Sequence, residues 1–436
     1  MRNQESVETR NFSWKELFTD AFSKHSEEEL EQHWAAGTIG NIPSIENVNT
    51  GCPKPWAFVR VFGISLVTYL ILLFCWNEFH PVNLLPGLII VGTMAIPFSV
   101  LIFFFEMNVR RNVSMYLVAK LLVFGGVVAL LYSLFMFKLT AALGLGWLGA
   151  SVAGIAEESG KLLALMLVIN RLRYPYMLNG LLFGAAIGAG FAIFESAGYA
   201  LGTLVVQIIA VSVDHAAAIQ QAAGDAAKAG GAKAVMTTLQ TVFAQIAAQT
   251  DQGMINNIIT RGLVSPFSHI IWTAMAAAGL WLVKGGRKFE AGMLLDMRFL
   301  RTFLAAVALH MVWNASWGIH IITPLDKHII LGIIGWTIIF HLVRQGLKQI
   351  AEEKANSAGI SPGESGIMEV IQLQKTYTDN LVAAVRRPAE NNHDHLGIAA
   401  EVRESKEHEQ KRERPDFSNR AWKKYYSRNN RDGDQS

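Results

Sequence analysis

The stretch AGIAEESGKLLALMLVI, residues 153–169, places two glutamates and a lysine inside an otherwise apolar segment. The segment is close in length to a membrane-spanning helix, which needs about 20 mostly apolar residues. On insertion scales, each charge near the centre of such a helix costs about 2.5 to 3.5 kcal/mol. Charges at this depth typically face a bundle interior or a water-filled cavity. Glu157, Glu158 and Lys161 therefore predict an internal polar site.

The composition of the chain is typical of an integral membrane protein. Of its 436 residues, 51% are hydrophobic and 17% are charged, whereas soluble domains average about 25% charged residues. The formal net charge of +3 is small, so it gives no argument for a nucleic-acid partner. Cys52 and Cys75 lack the spacing of a metal site or a disulfide framework.

Apolar runs of about 20 residues predict an all-α, polytopic membrane helix bundle with about eight transmembrane helices. The predicted spans are 58–76, 83–106, 114–137, 147–169, 178–201, 262–283, 300–320 and 328–346. Lysine and arginine collect in alternate loops, near residues 110–111, 171–173 and 284–301. Because such loops stay on the cytoplasmic side, both termini are predicted to be cytoplasmic.

Three regions flank or interrupt this predicted membrane core, residues 58–346. Residues 1–57 predict a cytosolic helical segment, because they contain two capping boxes. These are Ser13 with Glu16 and Ser26 with Glu29. Residues 203–260 are rich in Ala and Gln and predict a polar insert on the outer side, for which a helical hairpin is one possible form. The charged tail, residues 347–436, predicts a largely disordered cytosolic segment whose basic end can contact anionic lipid.

Four groups of polar residues and their neighbours lie at membrane depth, each on a different predicted span. They are Glu157, Glu158 and Lys161; Phe191 and Glu195; His269 and Thr273; and His310, Trp313 and Asn314. With a rise of about 1.5 Å per residue, all four groups fall within about 8 Å of the midplane. The groups therefore predict one shared internal cavity.

Helix geometry separates the two adjacent glutamates. Glu157 and Lys161 are spaced i, i+4 and can pair on one helix face. Glu158 points about 100° away from Glu157. One glutamate can therefore be structural while the other is free for chemistry.

Three glycines recur at four-residue spacing on the predicted span that carries Glu195. They are Gly180, Gly184 and Gly188. A face of small residues lets a neighbouring helix approach closely. We expect this packing to bring Glu195 to its partners.

Two chemical schemes use the same residues. Two histidines and one or two carboxylates form a plausible ligand set for zinc, with another carboxylate as general base. Without a metal, a buried glutamate and a neighbouring histidine can activate water directly, while Asn314 donates to the oxyanion. Both schemes predict hydrolysis of a peptide bond inside the membrane.

The sequence suggests a role for each member of the four groups. Glu157, Glu158 and Asn314 are predicted to be catalytic. Glu195, His269 and His310 are predicted to hold the metal. The predicted supporting residues are Lys161, Thr273, Trp313 and Phe191.

The four groups resemble the motif set of the PrsW family of intramembrane proteases. That set consists of Glu-Glu-x-x-x-Lys or Glu-Glu-x-x-Lys, then Phe-x-x-x-Glu, His-x-x-x-Thr and His-x-x-Trp-Asn, each in its own transmembrane helix. All four motifs occur here in that order, and the resemblance covers about residues 58–346.

This resemblance implies an intramembrane endopeptidase of the bacterial cytoplasmic membrane that cuts membrane-anchored proteins. It implies the glutamates and histidines as the active site, with zinc as the metal. The long insert, residues 203–260, departs from the family pattern, so the resemblance does not extend to the choice of substrate.

Two other functions are compatible with intramembrane polar residues. A non-catalytic membrane scaffold would keep the fold and bind membrane partners. A proton-coupled transporter would use carboxylates and histidines as a proton relay. No second half of the chain repeats the four motifs, which disfavours a transporter built from inverted repeats.

Overall fold

The chain is helical throughout the parts that the computed structural model describes. These parts are residues 14–38, 40–170, 172–214, 216–316 and 326–357. Helices and short connections account for all of them, and no strand occurs in these ranges. The predicted all-α class is confirmed.

Twelve α-helices are assigned within the described residues. They are α1 (Trp14–Leu17), α2 (Glu27–Trp34), α3 (Ala57–Phe79), α4 (Leu85–Met107), α5 (Met115–Lys120), α6 (Gly126–Ala142), α7 (Val152–Ile169), α8 (Met177–Asp214), α9 (Ala216–Val264), α10 (His269–Lys284), α11 (Met297–Asn314) and α12 (Asp326–Ser357). A single π-helical segment, Leu121–Gly125, joins α5 to α6.

Six segments of the described chain are long and apolar enough to cross a membrane. They are Ala57–Phe79, Val82–Met107, Met115–Ala142, Met177–Val213, Asp251–Lys284 and Asp326–Ser357. Helices α7 and α11 have 18 residues each and are not among the six. Helix α7 contains three charged residues and α11 two arginines, which lowers their apolar character. The predicted total of eight spans therefore stays a prediction, as does the orientation of the termini.

Helix α2 packs on the carboxyl-terminal end of α4, where the rings of His33 and Trp34 contact Phe105. The capping box at Ser26 forms as predicted, with Glu29 N donating to Ser26 Oγ at 3.2 Å and Ser26 N donating to Glu29 Oε2 at 3.0 Å. Ser13 of the other predicted box lies outside the described residues. The carboxylate of Glu106 accepts from three successive backbone N–H groups at the start of α3, at 2.8 to 3.0 Å. This contact satisfies donors that a helix start leaves free.

Helix α8 lies at the centre of the bundle and packs closely on α10. In the apolar 18-residue stretch of α8, 94% of the residues are buried, whereas 6% are buried in the corresponding stretch of α3. A Cβ added at Gly184 would lie 2.3 Å from Thr273 O, and one at Gly188 would lie 2.4 Å from His269 O. The predicted close approach at these glycines is confirmed, and it brings α8 against the start of α10.

The predicted insert, residues 203–260, consists largely of two long helices. Helix α8 continues to Asp214, and α9 follows from Ala216 with a break at Gly231, where φ is 65°. Trp76 Nε1 of α3 donates to Asp251 Oδ2 of α9 at 2.5 Å. The helical form agrees with the predicted hairpin, and its place on the outer side stays a prediction.

Several predicted boundaries differ from the structure, those of α7, α11 and α12 among them. Helix α7 begins at Val152, because the preceding Leu145–Ser151 forms 3-10 turns with a positive φ at Gly149. Helix α11 ends at Asn314, and residues 317–325 lie outside the described part. Helix α12 continues past residue 346 to Ser357. The rest of the predicted tail, including its proposed lipid contact, lies outside the described residues.

Candidate active site

Helices α7, α8, α10 and α11 bring the predicted polar groups into one buried cluster. Donor atoms of Glu157, His269 and His310 all lie within 4.8 Å of one another. These three residues are 6%, 7% and 1% exposed. Glu157 lies near the start of α7, His269 is the first residue of α10, and His310 lies near the end of α11.

One carboxylate faces two imidazoles at the centre of this cluster. Glu157 Oε2 lies 3.8 Å from His269 Nδ1 and 3.7 Å from His310 Nε2. Both separations exceed an ordinary hydrogen bond. Zinc with nitrogen and oxygen ligands at about 2.0 to 2.1 Å would hold such atoms about 3.4 Å apart. The three donors, which all lie within 4.8 Å of one another, therefore fit a zinc ion once they move closer together.

The outer nitrogen of each histidine is held by a second carboxylate. Glu158 Oε1 lies 2.9 Å from His310 Nδ1, and Glu195 Oε2 lies 3.1 Å from His269 Nε2. Carboxylates in this position fix the orientation and tautomer of metal-binding histidines. Glu157 therefore lies between the two histidines, whereas Glu158 and Glu195 contact the ring nitrogens that face away from it.

Lys161 bridges both glutamates of α7. Its Nζ lies 2.8 Å from Glu158 Oε1, 3.5 Å from Glu157 Oε2 and 2.8 Å from His269 Nδ1. It also lies 4.1 Å above the ring of Phe191. The predicted Glu157–Lys161 pair is present, but the contact with Glu158 is shorter. Because Lys161 donates to Nδ1 of His269, that ring carries its proton on Nε2, towards Glu195.

Arg261 completes the cluster and was not predicted. Its Nη2 donates to Glu195 Oε2 at 2.5 Å and its Nε to Ser196 Oγ at 2.9 Å. The guanidinium carbon lies 4.4 Å from the centre of the Tyr199 ring. The sequence holds one hint, a lone arginine in the apolar stretch MINNIITRGLV, residues 254–264. That residue falls between the predicted insert and the next predicted span.

The carboxylates of the cluster outnumber its cations. Three carboxylates, those of Glu157, Glu158 and Glu195, face two cations, Lys161 and Arg261. With all three carboxylates ionised and both histidines neutral, one negative charge would remain in a buried environment. A buried charge without compensation is costly, so the site favours a further cation or proton.

The remaining predicted residues support the cluster in different ways. Thr273 Oγ1 donates to His269 O at 2.8 Å, so it bonds to the backbone of its own helix. The Trp313 ring packs edge-on against Trp272, with centroids 5.4 Å apart. Trp272, which was not predicted, stacks on His310 at 4.4 Å. Asn314 ends α11, and among the described residues no hydrogen bond or ion pair joins it to Glu157 or the two histidines.

Together, the fold and the cluster define a multi-pass membrane protein with a buried glutamate–histidine site that fits a metal ion. The family model described as PrsW family intramembrane metalloprotease matches residues 112–220 and 226–343. The chain therefore belongs to the PrsW family of intramembrane metalloproteases, and the resemblance found in its motifs is confirmed. The match includes α7, α8, α10 and α11, which carry the four predicted groups, and it begins after α4. Comparison with curated proteins and with solved structures gives no match.

Proposed function

We propose that this chain hydrolyses peptide bonds of membrane-anchored proteins at the buried cluster. One observation carries the proposal: Glu157 Oε2 faces one nitrogen of His269 and one of His310, while carboxylates hold their other nitrogens. This arrangement leaves a carboxylate and two imidazoles directed at one point. It is the donor set that metal-assisted hydrolysis requires.

Glu157, His269 and His310 are the residues that would hold zinc. Bound zinc supplies a Lewis acid that polarises a carbonyl and acidifies water. The negative charge left in the cluster and the mixed nitrogen and oxygen donors support a divalent cation. For a metal to reach His269 Nδ1, Lys161 Nζ must move from its position 2.8 Å away. Glu158 remains as the partner of Lys161, at 2.8 Å.

The proposed roles differ in part from those suggested by the sequence. Glu157 holds the metal, whereas the sequence suggests a catalytic role for it. Glu158 orients His310 instead of taking part in catalysis, and Glu195 orients His269 instead of binding the metal. The ion-pair distances of 2.9 and 3.1 Å support these roles. Asn314 follows His310 by one helical turn on the same face, so it keeps its predicted role as a donor to the oxyanion.

The remaining predictions complete the proposal. The chain acts in the bacterial cytoplasmic membrane, with both termini in the cytoplasm and lipid around the bundle. Its partners are membrane-anchored protein substrates. The six apolar segments and the family membership support the membrane setting.

Metal content per chain tests the site without a known substrate. Elemental mass spectrometry on detergent-purified protein should find about one zinc in wild type, lost in His269→Ala and in His310→Ala. His341→Ala is the matched control, because His341 is exposed on α12 and bonds to Gln345 at 2.7 Å. This variant should keep its zinc. Wild type that is purified without chelator and holds no metal would refute the zinc site.

Cleavage is tested by comparing membrane proteins from cells that express wild type or Glu157→Gln. Mass spectrometry of protein amino termini should show new termini, in or next to transmembrane segments, with wild type only. Identical termini in both samples would refute the hydrolase and favour the scaffold or the transporter.

A further inference from the structure

Arg261 and His269 contact the same oxygen atom of Glu195. Arg261 Nη2 lies 2.5 Å and His269 Nε2 lies 3.1 Å from Glu195 Oε2. Arg261 belongs to α9, whereas His269 begins α10. The carboxylate therefore joins the carboxyl-terminal end of the long helix α9 to the first residue of α10.

The chain between these two residues is not a continuous α-helix. Residues Ser265–Phe267 form a 3-10 turn, and Ser268 has φ −125° and ψ −131°. The α-helical hydrogen-bond pattern therefore breaks between α9 and α10. Contacts with neighbouring helices, α4 and α8 among them, hold the end of α9 relative to His269, and Trp336 of α12 donates to Pro266 O in the turn.

Arg261 provides three such contacts within little more than one turn of α8. Its guanidinium bonds to Glu195 and Ser196 and lies over the ring of Tyr199. A planar guanidinium with several donors fixes a carboxylate more precisely than an ammonium does. The side chain is only 28% exposed, and that of Glu195 is 16% exposed, so water screens the pair weakly.

We infer that Arg261 is a positioning residue for the active site, an inference that rests on the proposed function. Arg261 holds the Glu195 carboxylate against His269 Nε2, which keeps Nδ1 of that ring directed at Lys161 and Glu157. The long helix that follows the predicted insert is thereby coupled to the orientation of a metal-binding histidine. Within the part of the chain that the structure describes, no hydrogen bond or ion pair joins Arg261 to Glu157 or His310.

The experiment compares Arg261→Gln and Arg261→Lys with wild type. The first readout is zinc affinity, measured with zinc itself by chelator competition on the full-length protein in detergent. Loss of a group that orients a metal ligand typically lowers affinity 10- to 100-fold, and we expect a loss of this size for Arg261→Gln. Arg261→Lys keeps the charge and should recover part of the affinity. The second readout is cleavage of a peptide spanning a wild-type-specific site, where kcat should fall and KM should change less than about twofold.

Arg298→Gln is the matched control. Arg298 forms an ion pair with Asp296 at 2.8 Å, so the same substitution breaks an arginine–carboxylate pair away from the cluster. It should leave zinc affinity and kcat unchanged. Thermal unfolding of every variant shows whether a loss of affinity is a loss of fold, and Arg261→Lys supplies the test if Arg261→Gln does not fold.

A double-mutant cycle decides whether Arg261 acts through Glu195. Arg261→Gln should add little to the loss in zinc affinity already caused by Glu195→Gln, because both remove the same contact. If wild type binds zinc and cleaves, two results would overturn the inference. One is that the losses in zinc affinity add in the double variant, and the other is that Arg261→Gln binds zinc as tightly as Arg298→Gln. Wild type that neither binds zinc nor cleaves would overturn the proposed function, and the inference with it.

Discussion

At the scale of single residues, the two adjacent glutamates differ in their surroundings. The side chain of Glu158 is 0% exposed and pairs with both Lys161 and His310. The side chain of Glu157 is 8% exposed and lies at 3.5 Å or more from its cationic and imidazole neighbours. These surroundings support Glu157 as the proposed metal ligand, while Glu158 holds its neighbours through Oε1 and its buried Oε2 has no hydrogen-bond partner among the described residues.

The two glutamine variants should separate these roles. Glu157→Gln should lower turnover by at least about 100-fold, because the loss of a metal ligand should cost no less than the loss of a group that orients one. Thermal unfolding should stay near wild type, because Glu158 remains paired with Lys161. Glu158→Gln should lower stability by about 3 to 5 kcal/mol as well as activity, because it breaks a buried charge pair. Turnover and unfolding temperature in detergent measure both effects.

Glu78→Gln serves as the control, since Glu78 is exposed at the end of α3. It should match wild type in both measurements. Full turnover in Glu157→Gln, or an unchanged unfolding temperature in Glu158→Gln, would contradict the assignment.

The sequence predicts which residues converge but not what each one does. Spacing and depth place Glu157, His269 and His310 in one cavity, and the structure brings them together. Roles depend on rotation of each helix and on side-chain rotamers, which spacing leaves open. Lys161 illustrates the limit, because its i, i+4 spacing to Glu157 predicts one pair while its shortest carboxylate contact is with Glu158.

At the scale of helices, the packing of α8 on α10 sets the distance between Glu195 and His269. A Cβ at Gly188 would lie 2.4 Å from His269 O, a backbone atom that cannot rotate away. Gly188→Ala should therefore push α10 from α8, at a cost of about 1 to 3 kcal/mol, and reduce activity. Thermal unfolding and zinc affinity measure the two consequences.

Gly198→Ala is the matched control on the same helix. A Cβ at Gly198 meets no atom within 4 Å. Because alanine favours helix by up to about 1 kcal/mol over glycine, this variant should be neutral or slightly more stable. Equal effects of the two substitutions would show that close packing at Gly188 does not position the site.

The docking of α2 on the bundle should depend on pH. Burial, together with the positive charges of Arg111 and His25, lowers the pKa of His33 to about 4. A histidine in an unfolded segment has a pKa of about 6.5. Between that pH and about 4, His33 is therefore protonated in the undocked segment and neutral in the docked one. Docking should weaken as pH falls from about 6.5 towards about 4.

Hydrogen exchange of α2, corrected for the intrinsic effect of pH, measures this weakening. His33→Gln should remove most of the pH dependence, whereas His341→Gln, at an exposed histidine, should keep it. Protection of α2 that is equal at pH 7 and pH 5 in wild type would contradict the expectation.

The exact ends of the helices are not predicted by the pattern of apolar residues. An apolar run that includes Leu145 and Trp147 predicts a span from residue 147, yet the positive φ of Gly149 delays α7 to Val152. The polar composition of residues 203–260 disfavours a further span but not a helix, and α8 and α9 continue through most of it as helix. Alanine explains the helical form, because it is the strongest helix former even where hydropathy is low.

At the scale of the whole molecule, the polar residues of the site make the number of membrane spans difficult to count from hydropathy. Helices α7 and α11 carry the glutamates, the lysine and His310, and these polar residues reduce the hydropathy by which spans are recognised. Their cost is offset, because Lys161 pairs with both glutamates and His310 with Glu158. We therefore expect both helices to cross the membrane.

Cysteine labelling from one side of the membrane tests this expectation. Single cysteines are placed at the two ends of each helix, in a chain whose two native cysteines are replaced by serine: Gly146 and Leu172 for α7, Gly292 and Ser316 for α11. All four positions are exposed. With cytoplasmic termini and eight spans, an impermeant maleimide should label Gly146→Cys and Ser316→Cys in intact cells, and the other two only after permeabilisation. If both ends of either helix react from the same side, that helix does not cross, and the eight-span topology is wrong.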